Sequence, residues 1–256
     1  MKHLKNEILF TIKDGQETHQ IVCFPYLGGY ANSFLDLMQQ VNVSKEVEVL
    51  AINPPGHGTS TQKPIEDIRI MAELYSNEIK DIIKPNCVFF GYSMGGTVAY
   101  FVAQHLMKQG MCRGNLSLVI SSSDTPNDFK TKSYSSLTDD MLLEHMATYG
   151  GFPDELINEK KLLAYFLPAF RADFKVLETA AHLDAEALDI PCYLMLGDDD
   201  KIVQVGSAIN WTRHFNGNLK ISLIKGGTHM MIHNQMQDTA YALKQILSQI
   251  DDRYVS

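Results

Sequence analysis

The chain has 256 residues, 45% of them hydrophobic, and its 30 acidic residues outnumber 22 Lys and Arg for a net charge of −8. That composition supports one large α/β core, with or without an insertion, and excludes a disordered chain. The negative charge argues against nucleic acid or an anionic membrane as the main partner, and no apolar run is long enough to span a bilayer.

The start, Met1-Lys2-His3-Leu4-Lys5-Asn6-Glu7, is charged and leads into only a short apolar run, unlike a signal peptide. Strand-like runs follow at 8–12, His19–Phe24, Val47–Ile52, Cys87–Phe90, Leu116–Ser122, Cys192–Leu196 and Leu219–Ile224. Between them, helical patterns cover Asn32–Val41, Ile65–Ile83, Thr97–Lys108, Gly206–Phe215 and Asn234–Ile250; in the last, Ala240, Leu243, Leu247 and Ile250 share one face. Alternating strands and helices predict a mostly parallel sheet with helices on both faces. From Asp124 to Leu188 only helical segments occur, around Leu137–Thr148, Pro153–Phe166 and Phe170–Ala181. The expected organisation is a core of residues 1–123 and 189–256 with a helical lid over 124–188. Four widely spaced cysteines (Cys23, Cys87, Cys112, Cys192) form no Cys-x-x-Cys pair. They read as reduced, buried thiols of a soluble, cytoplasmic protein, with no metal site.

The most informative stretch is Val88-Phe89-Phe90-Gly91-Tyr92-Ser93-Met94-Gly95-Gly96. An apolar run ending in Gly-x-Ser-x-Gly and continuing as a helix is the strand–turn–helix elbow of a serine hydrolase. A serine hydroxyl needs a base to take its proton and a carboxylate to orient that base, and in this fold they follow in the order serine, acid, histidine. His229, on the loop Lys225-Gly226-Gly227-Thr228 after the last strand, is the expected base; His233 is its rival. In Gly197-Asp198-Asp199-Asp200 the acid is expected three residues after the glycine, at Asp200, with Asp124 after an earlier strand as the alternative. Two backbone N–H groups must face the developing oxyanion. Met94 at the start of the helix is one, and the loop Phe24-Pro25-Tyr26-Leu27-Gly28-Gly29 supplies the other from Leu27, or from Tyr26. No phosphate-binding glycine motif and no cofactor signature is present.

The loop 24–29, the elbow 91–96, Gly150-Gly151-Phe152-Pro153-Asp154-Glu155-Leu156, Leu167-Pro168-Ala169-Phe170-Arg171-Ala172-Asp173, Gly197–Asp200 and Gly226-Gly227-Thr228-His229 run in the order found in type II thioesterases of nonribosomal peptide and polyketide assembly lines. The chain resembles that family of the α/β-hydrolase fold from about residue 20 to 235. Two departures stand out: Pro55-Gly56-His57-Gly58, where the family usually has Pro-Gly-Arg-Gly, and an extra Thr228 before His229. The resemblance implies a monomeric enzyme without cofactor. It would release acyl groups from the phosphopantetheine arm of an acyl- or peptidyl-carrier protein, through Ser93, His229 and Asp200. A general carboxylesterase, a medium-chain acyl thioesterase and a non-catalytic carrier-protein-binding module are the alternatives. Carrier proteins are usually acidic, so Lys130, Lys132, Arg171 and Lys175 of the lid are the expected docking cations, and lid aromatics the lining of an acyl channel.

Overall fold

Runs such as Ile21-Val22-Cys23-Phe24 and Val88-Phe89-Phe90 have no polar face, so they settle only where both sides of a sheet are covered. The computed structural model describes residues 7–16, 18–111, 114–150, 160–217 and 219–255, and there these runs form the middle of a seven-stranded sheet. The strands are β1 (Leu9–Lys13), β2 (His19–Phe24), β3 (Val47–Ile52), β4 (Asn86–Tyr92), β5 (Asn115–Ser121), β6 (Cys192–Gly197) and β7 (Leu219–Ile224). Their order is β1-β3-β2-β4-β5-β6-β7, with β1 antiparallel to β3 and every other pair parallel.

The principal helices are α1 (Leu35–Val41), α2 (Ile68–Ile79), α3 (Met94–Lys108), α4 (Asp139–Ala147), α5 (Lys160–Ala180) and α6 (Met236–Ile250). They divide into two layers. Apolar residues of α2, α3 and α5 fill one face of the sheet with Val22, Phe24, Phe89 and Leu118, and those of α1 and α6 fill the other with Cys23, Val49, Phe90 and Met195. The sheet reverses its winding direction at β2, which pairs with β3 on one side and β4 on the other. Such a switch opens a crevice beyond the strands' carboxyl ends. Phe24 and Gly91 are paired there, so the loop after β2 and the turn after β4 emerge side by side.

All seven expected strands form, within two residues of their predicted ends. Several helical expectations changed: Ile65–Ile83 shortens to Ile68–Ile79, and Asn32–Val41 opens with a 3-10 turn before α1. The third helix begins at Met94 rather than Thr97, directly after the elbow. Gly206–Phe215 becomes a four-residue helix (Val205–Ala208) followed by a 3-10 turn (Ile209–His214). Where a break near Pro168 was expected, α5 runs through it, while residues 153–159 of the preceding predicted helix lie outside the described residues. An interior proline costs a helix roughly 3 kcal/mol. Here Leu163, Leu167, Phe170, Phe174 and Leu177 make an unbroken stripe on both sides of it, each no more than 7% exposed. Burying that stripe outweighs one lost amide bond. Between 124 and 188 no strand occurs among the described residues, but the segment is no detached cap, because α5 shares a core with α2 and α3. Cys23, Cys87 and Cys192 are buried thiols that form no disulfide among the described residues, and Cys112 lies outside the described residues.

Candidate active site

Ser93 alone makes the turn from β4 to α3, with φ 51° and ψ −123°. A serine there is strained and persists only where its surroundings enforce it. They do so through close approach. A Cβ on Gly91 would lie 2.3 Å from the Gly95 carbonyl oxygen, and one on Gly95 would lie 2.0 Å from that of Phe24. The Ser93 amide donates to Ser121 O at 2.7 Å, and its carbonyl accepts from Gly96 N at 2.8 Å. Both the position of Ser93 and the turn are therefore fixed by backbone, not by mobile side chains.

Ser93 Oγ lies 3.0 Å from His229 Nε2, and His229 Nδ1 lies 3.0 Å from Asp200 Oδ2. The Asp200 side chain is 1% exposed and the His229 side chain 4%. Asp200 Oδ1 accepts from the amides of Ile202 and Val203 at 2.8 and 2.9 Å, so the carboxylate has both oxygens occupied and one orientation. The His229 loop has a further anchor in Tyr92, to which no motif assigns a role. Tyr92 Oη donates to the His229 carbonyl at 2.7 Å and accepts from Ile232 N at 3.2 Å. Burial drives this phenol far above its usual range and keeps it a donor.

The rivals lie elsewhere. His233 pairs with Tyr26 Oη at 2.7 Å, away from Ser93, and burial lowers its basicity. Asp124 borders the Ser93 cavity, but its carboxylate faces Lys132 at 3.6 Å, and burial raises its pKa. Asp198 and Asp199 are exposed turn residues; Asp198 accepts from Gly226 N and Asp199 pairs with Lys201.

In the loop after β2, Gly29 N donates to Tyr26 O and Gly28 N to Asp173 Oδ2, both at 2.7 Å. Leu27 N meets no acceptor among the described residues, and Leu27 borders the same cavity as Ser93 and Met94. Tyr26 instead lines a separate cavity with Tyr75 and Asp173. The cavity beside Ser93 is walled mainly by apolar groups, among them Phe129, Leu177, Ile202 and Val203. The Tyr149 ring stands edge-on to His229, with centroids 5.1 Å apart. Three of the four expected docking cations are committed within the chain. Arg171 donates to the carbonyls of Ser135 and Leu137 and pairs with Asp139. Lys132 pairs with Asp124 and Lys175 with Glu178, whereas Lys130 is exposed. No group of three or more possible metal ligands occurs among the described residues, and none of their helices is long and apolar enough to cross a membrane.

Strand order, elbow and the helices inserted after β5 make this an α/β hydrolase. Residues 19–253 match the thioesterase domain family, and the chain belongs to that family of thioester-cleaving enzymes. It is 25% identical over 209 residues to a probable cadicidin biosynthesis thioesterase of Streptomyces griseus, covering 81% of this chain but only 57% of that relative. With thioesterase PikA5 of Streptomyces venezuelae it shares 26% identity over 225 residues, 86% of this chain and 77% of the relative. Among solved structures, the RedJ thioesterase of the prodiginine biosynthetic pathway in Streptomyces coelicolor superposes with a TM-score of 0.79 at 25% identity, covering 90% of this chain and 85% of that one. The resemblance read from the motifs is borne out.

Proposed function

We propose that the protein is a type II thioesterase. It would hydrolyse acyl or peptidyl groups from the phosphopantetheine arm of a carrier protein, acting as a monomer in the cytoplasm to clear blocked arms of a peptide or polyketide synthase. The observation carrying the chemistry is the unbroken chain from Ser93 Oγ through His229 to Asp200, 3.0 Å at each link, starting at a strained elbow. The named relatives and the motif order support the substrate class.

In this reading His229 Nε2 removes the Ser93 proton as Oγ forms a bond to the thioester carbonyl carbon. The carbonyl π electrons pass to oxygen, which the amides of Leu27 and Met94 receive, Met94 with the favourable field of a helix start behind it. Collapse breaks the C–S bond, and His229 returns its proton to the pantetheine sulfur. Water then enters, gives a proton to His229 and attacks the acyl-Ser93 ester. The second collapse releases the acid and returns that proton to Ser93. Asp200 holds the proton-bearing Nδ1 and stabilises the imidazolium at both stages. A thioester is activated enough for this route without metal or organic cofactor.

The test is to present one acyl group to purified protein on a carrier protein, on N-acetylcysteamine and as a p-nitrophenyl ester. Release fastest from the carrier protein supports the proposal. Preference for the oxygen ester would instead indicate a carboxylesterase, equal thioester rates a small-molecule acyl thioesterase, and carrier binding without release a docking module.

A further inference from the structure

We infer that His57 and Asp173 are positioning residues for the oxyanion hole: a buried imidazolium–carboxylate pair that holds the Leu27 loop in its working conformation only while His57 carries both ring protons. This rests on the proposed roles of Ser93 and Leu27.

The starting point is a matter of donors. His57 Nδ1 lies 3.0 Å from Pro55 O, and Nε2 lies 3.0 Å from Asp173 Oδ2. Both partners only accept. A neutral imidazole has one N–H, so both bonds form only in the doubly protonated ring. The two side chains are 3% and 4% exposed, which shields the pair from bulk water. Burial opposes the charge, but the Asp173 carboxylate and the Pro55 carbonyl outweigh it and hold the imidazole above its ordinary value.

The same carboxylate oxygen also accepts from Gly28 N at 2.7 Å. Gly28 has φ +74°, and a Cβ on it would lie 2.3 Å from the Phe170 ring, so α5 presses on the loop with one residue and bonds it with another. Those two contacts fix the peptide next to Leu27. If Nδ1 keeps its proton when the ring becomes neutral, the Nε2 lone pair points at the carboxylate that anchors Gly28. If Nε2 keeps it, Pro55 O is buried unsatisfied. Either way the ring loses one of its two bonds, and with it the fixed seat from which it orients the Asp173 carboxylate toward Gly28. The other titratable groups facing the pair do not compete for the proton. Tyr75 of α2, whose phenol burial and the Asp173 charge push far upward, stays neutral, as does Tyr26 of the loop, whose phenol burial also raises. Tyr30 packs against Gly58, one residue after His57. In the sequence, His57 is the departure from the Arg usual in this motif, and its partner Asp173 ends the Arg171-Ala172-Asp173 motif.

The experiment compares wild type with His57→Gln, His57→Arg and Asp173→Asn on an N-acetylcysteamine thioester from pH 6 to 10. Losing one oxyanion donor outright costs about 10²–10³-fold in kcat, so loosening its loop should lower kcat of His57→Gln about 10–100-fold with KM little changed. Affinity for a trifluoromethyl ketone, which forms a tetrahedral adduct on Ser93, should fall by a similar factor, while a thioether analogue binds as before. Wild-type kcat should decline at alkaline pH, and His57→Arg should lose that decline while recovering part of the His57→Gln deficit. Should the Arg variant not fold, ring ¹⁵N shifts decide: at pH 7 both His57 nitrogens must be protonated. A neutral His57 ring, or His57→Gln with wild-type kcat and ketone affinity, overturns the inference. Ser93→Ala, assayed alongside, separates the two levels: activity retained there sinks the triad itself, and activity lost there alone sinks only the role of His57.

Discussion

Replacing Asp200 with Asn exchanges one carboxylate oxygen for an NH₂ group, and the structure dictates where that group goes. The Oδ1 position faces the amides of Ile202 and Val203 at 2.8 and 2.9 Å, so it must remain an acceptor. The new NH₂ is therefore forced into the Oδ2 place, 3.0 Å from His229 Nδ1. A donor there requires a bare Nδ1, which puts the imidazole proton on Nε2. Nε2 then points an N–H at Ser93 Oγ and has no lone pair to accept its proton. The expected loss in kcat is about 10⁴-fold, as for the same change in a serine protease, equivalent to about 5.5 kcal/mol of barrier. The volume and both amide bonds are kept, so the Tm should move little. Thiol release from an acyl-N-acetylcysteamine, followed with a disulfide indicator, measures the rate. Asp124→Asn is the control, and its carboxylate should matter far less because it faces Lys132. A rate for Asp200→Asn within tenfold of wild type, or a larger loss in Asp124→Asn, would refute the reasoning.

Ser93→Ala should abolish turnover with the fold intact, and a serine-directed phosphonate should label Ser93 alone, as mass spectrometry of digested protein would show. Gly95→Ala should prevent stable folding, since its Cβ would meet the Phe24 carbonyl at 2.0 Å; soluble protein with a wild-type melting curve would contradict the packing. Tyr92→Phe leaves the His229 carbonyl and Ile232 amide without their buried partner, which should cost about 1–3 kcal/mol in chemical denaturation and lower kcat as well. Because the folded His57 holds its proton more tightly than the ordinary value of 6.5, its pairing stabilises the fold fully below that pH and the contribution is lost as pH rises through the raised value. The Tm gap between wild type and His57→Gln should accordingly be widest in acid and shrink in base; a gap that widens with pH would reverse the assignment.

The strands were legible because burial on both faces leaves nothing but apolar residues, as in Val88-Phe89-Phe90, and the elbow because sterics allow only glycine at 91 and 95. Asp200 and His229 were legible from their places after strands, a property of chain order. Pro168 misled because a local rule marks a helix break, whereas the stripe from Leu163 to Leu177 is rewarded only by contacts far along the chain. The intramolecular pairings of the lid cations were not legible either. Charge is visible in sequence, but the carbonyls of Ser135 and Leu137 that hold Arg171 are backbone groups, which no sequence distinguishes. Tyr92 and the His57–Asp173 pair were missed for the same reason: their partners are 137 and 116 residues away.

One helix face now has a mechanical meaning. Phe170, Asp173 and Leu177 follow one another along α5, the first two gripping the Leu27 loop and the third walling the cavity beside Ser93. A door hung on α5 would tear out its own latch each time it opened, since outward movement breaks the Gly28 and His57 bonds that shape the loop after β2. The helix is better regarded as the fixed jamb. The neighbouring Tyr149 is held differently, its ring meeting His229 by an edge contact, whereas α5 is tied to the loop after β2 by a buried charge pair.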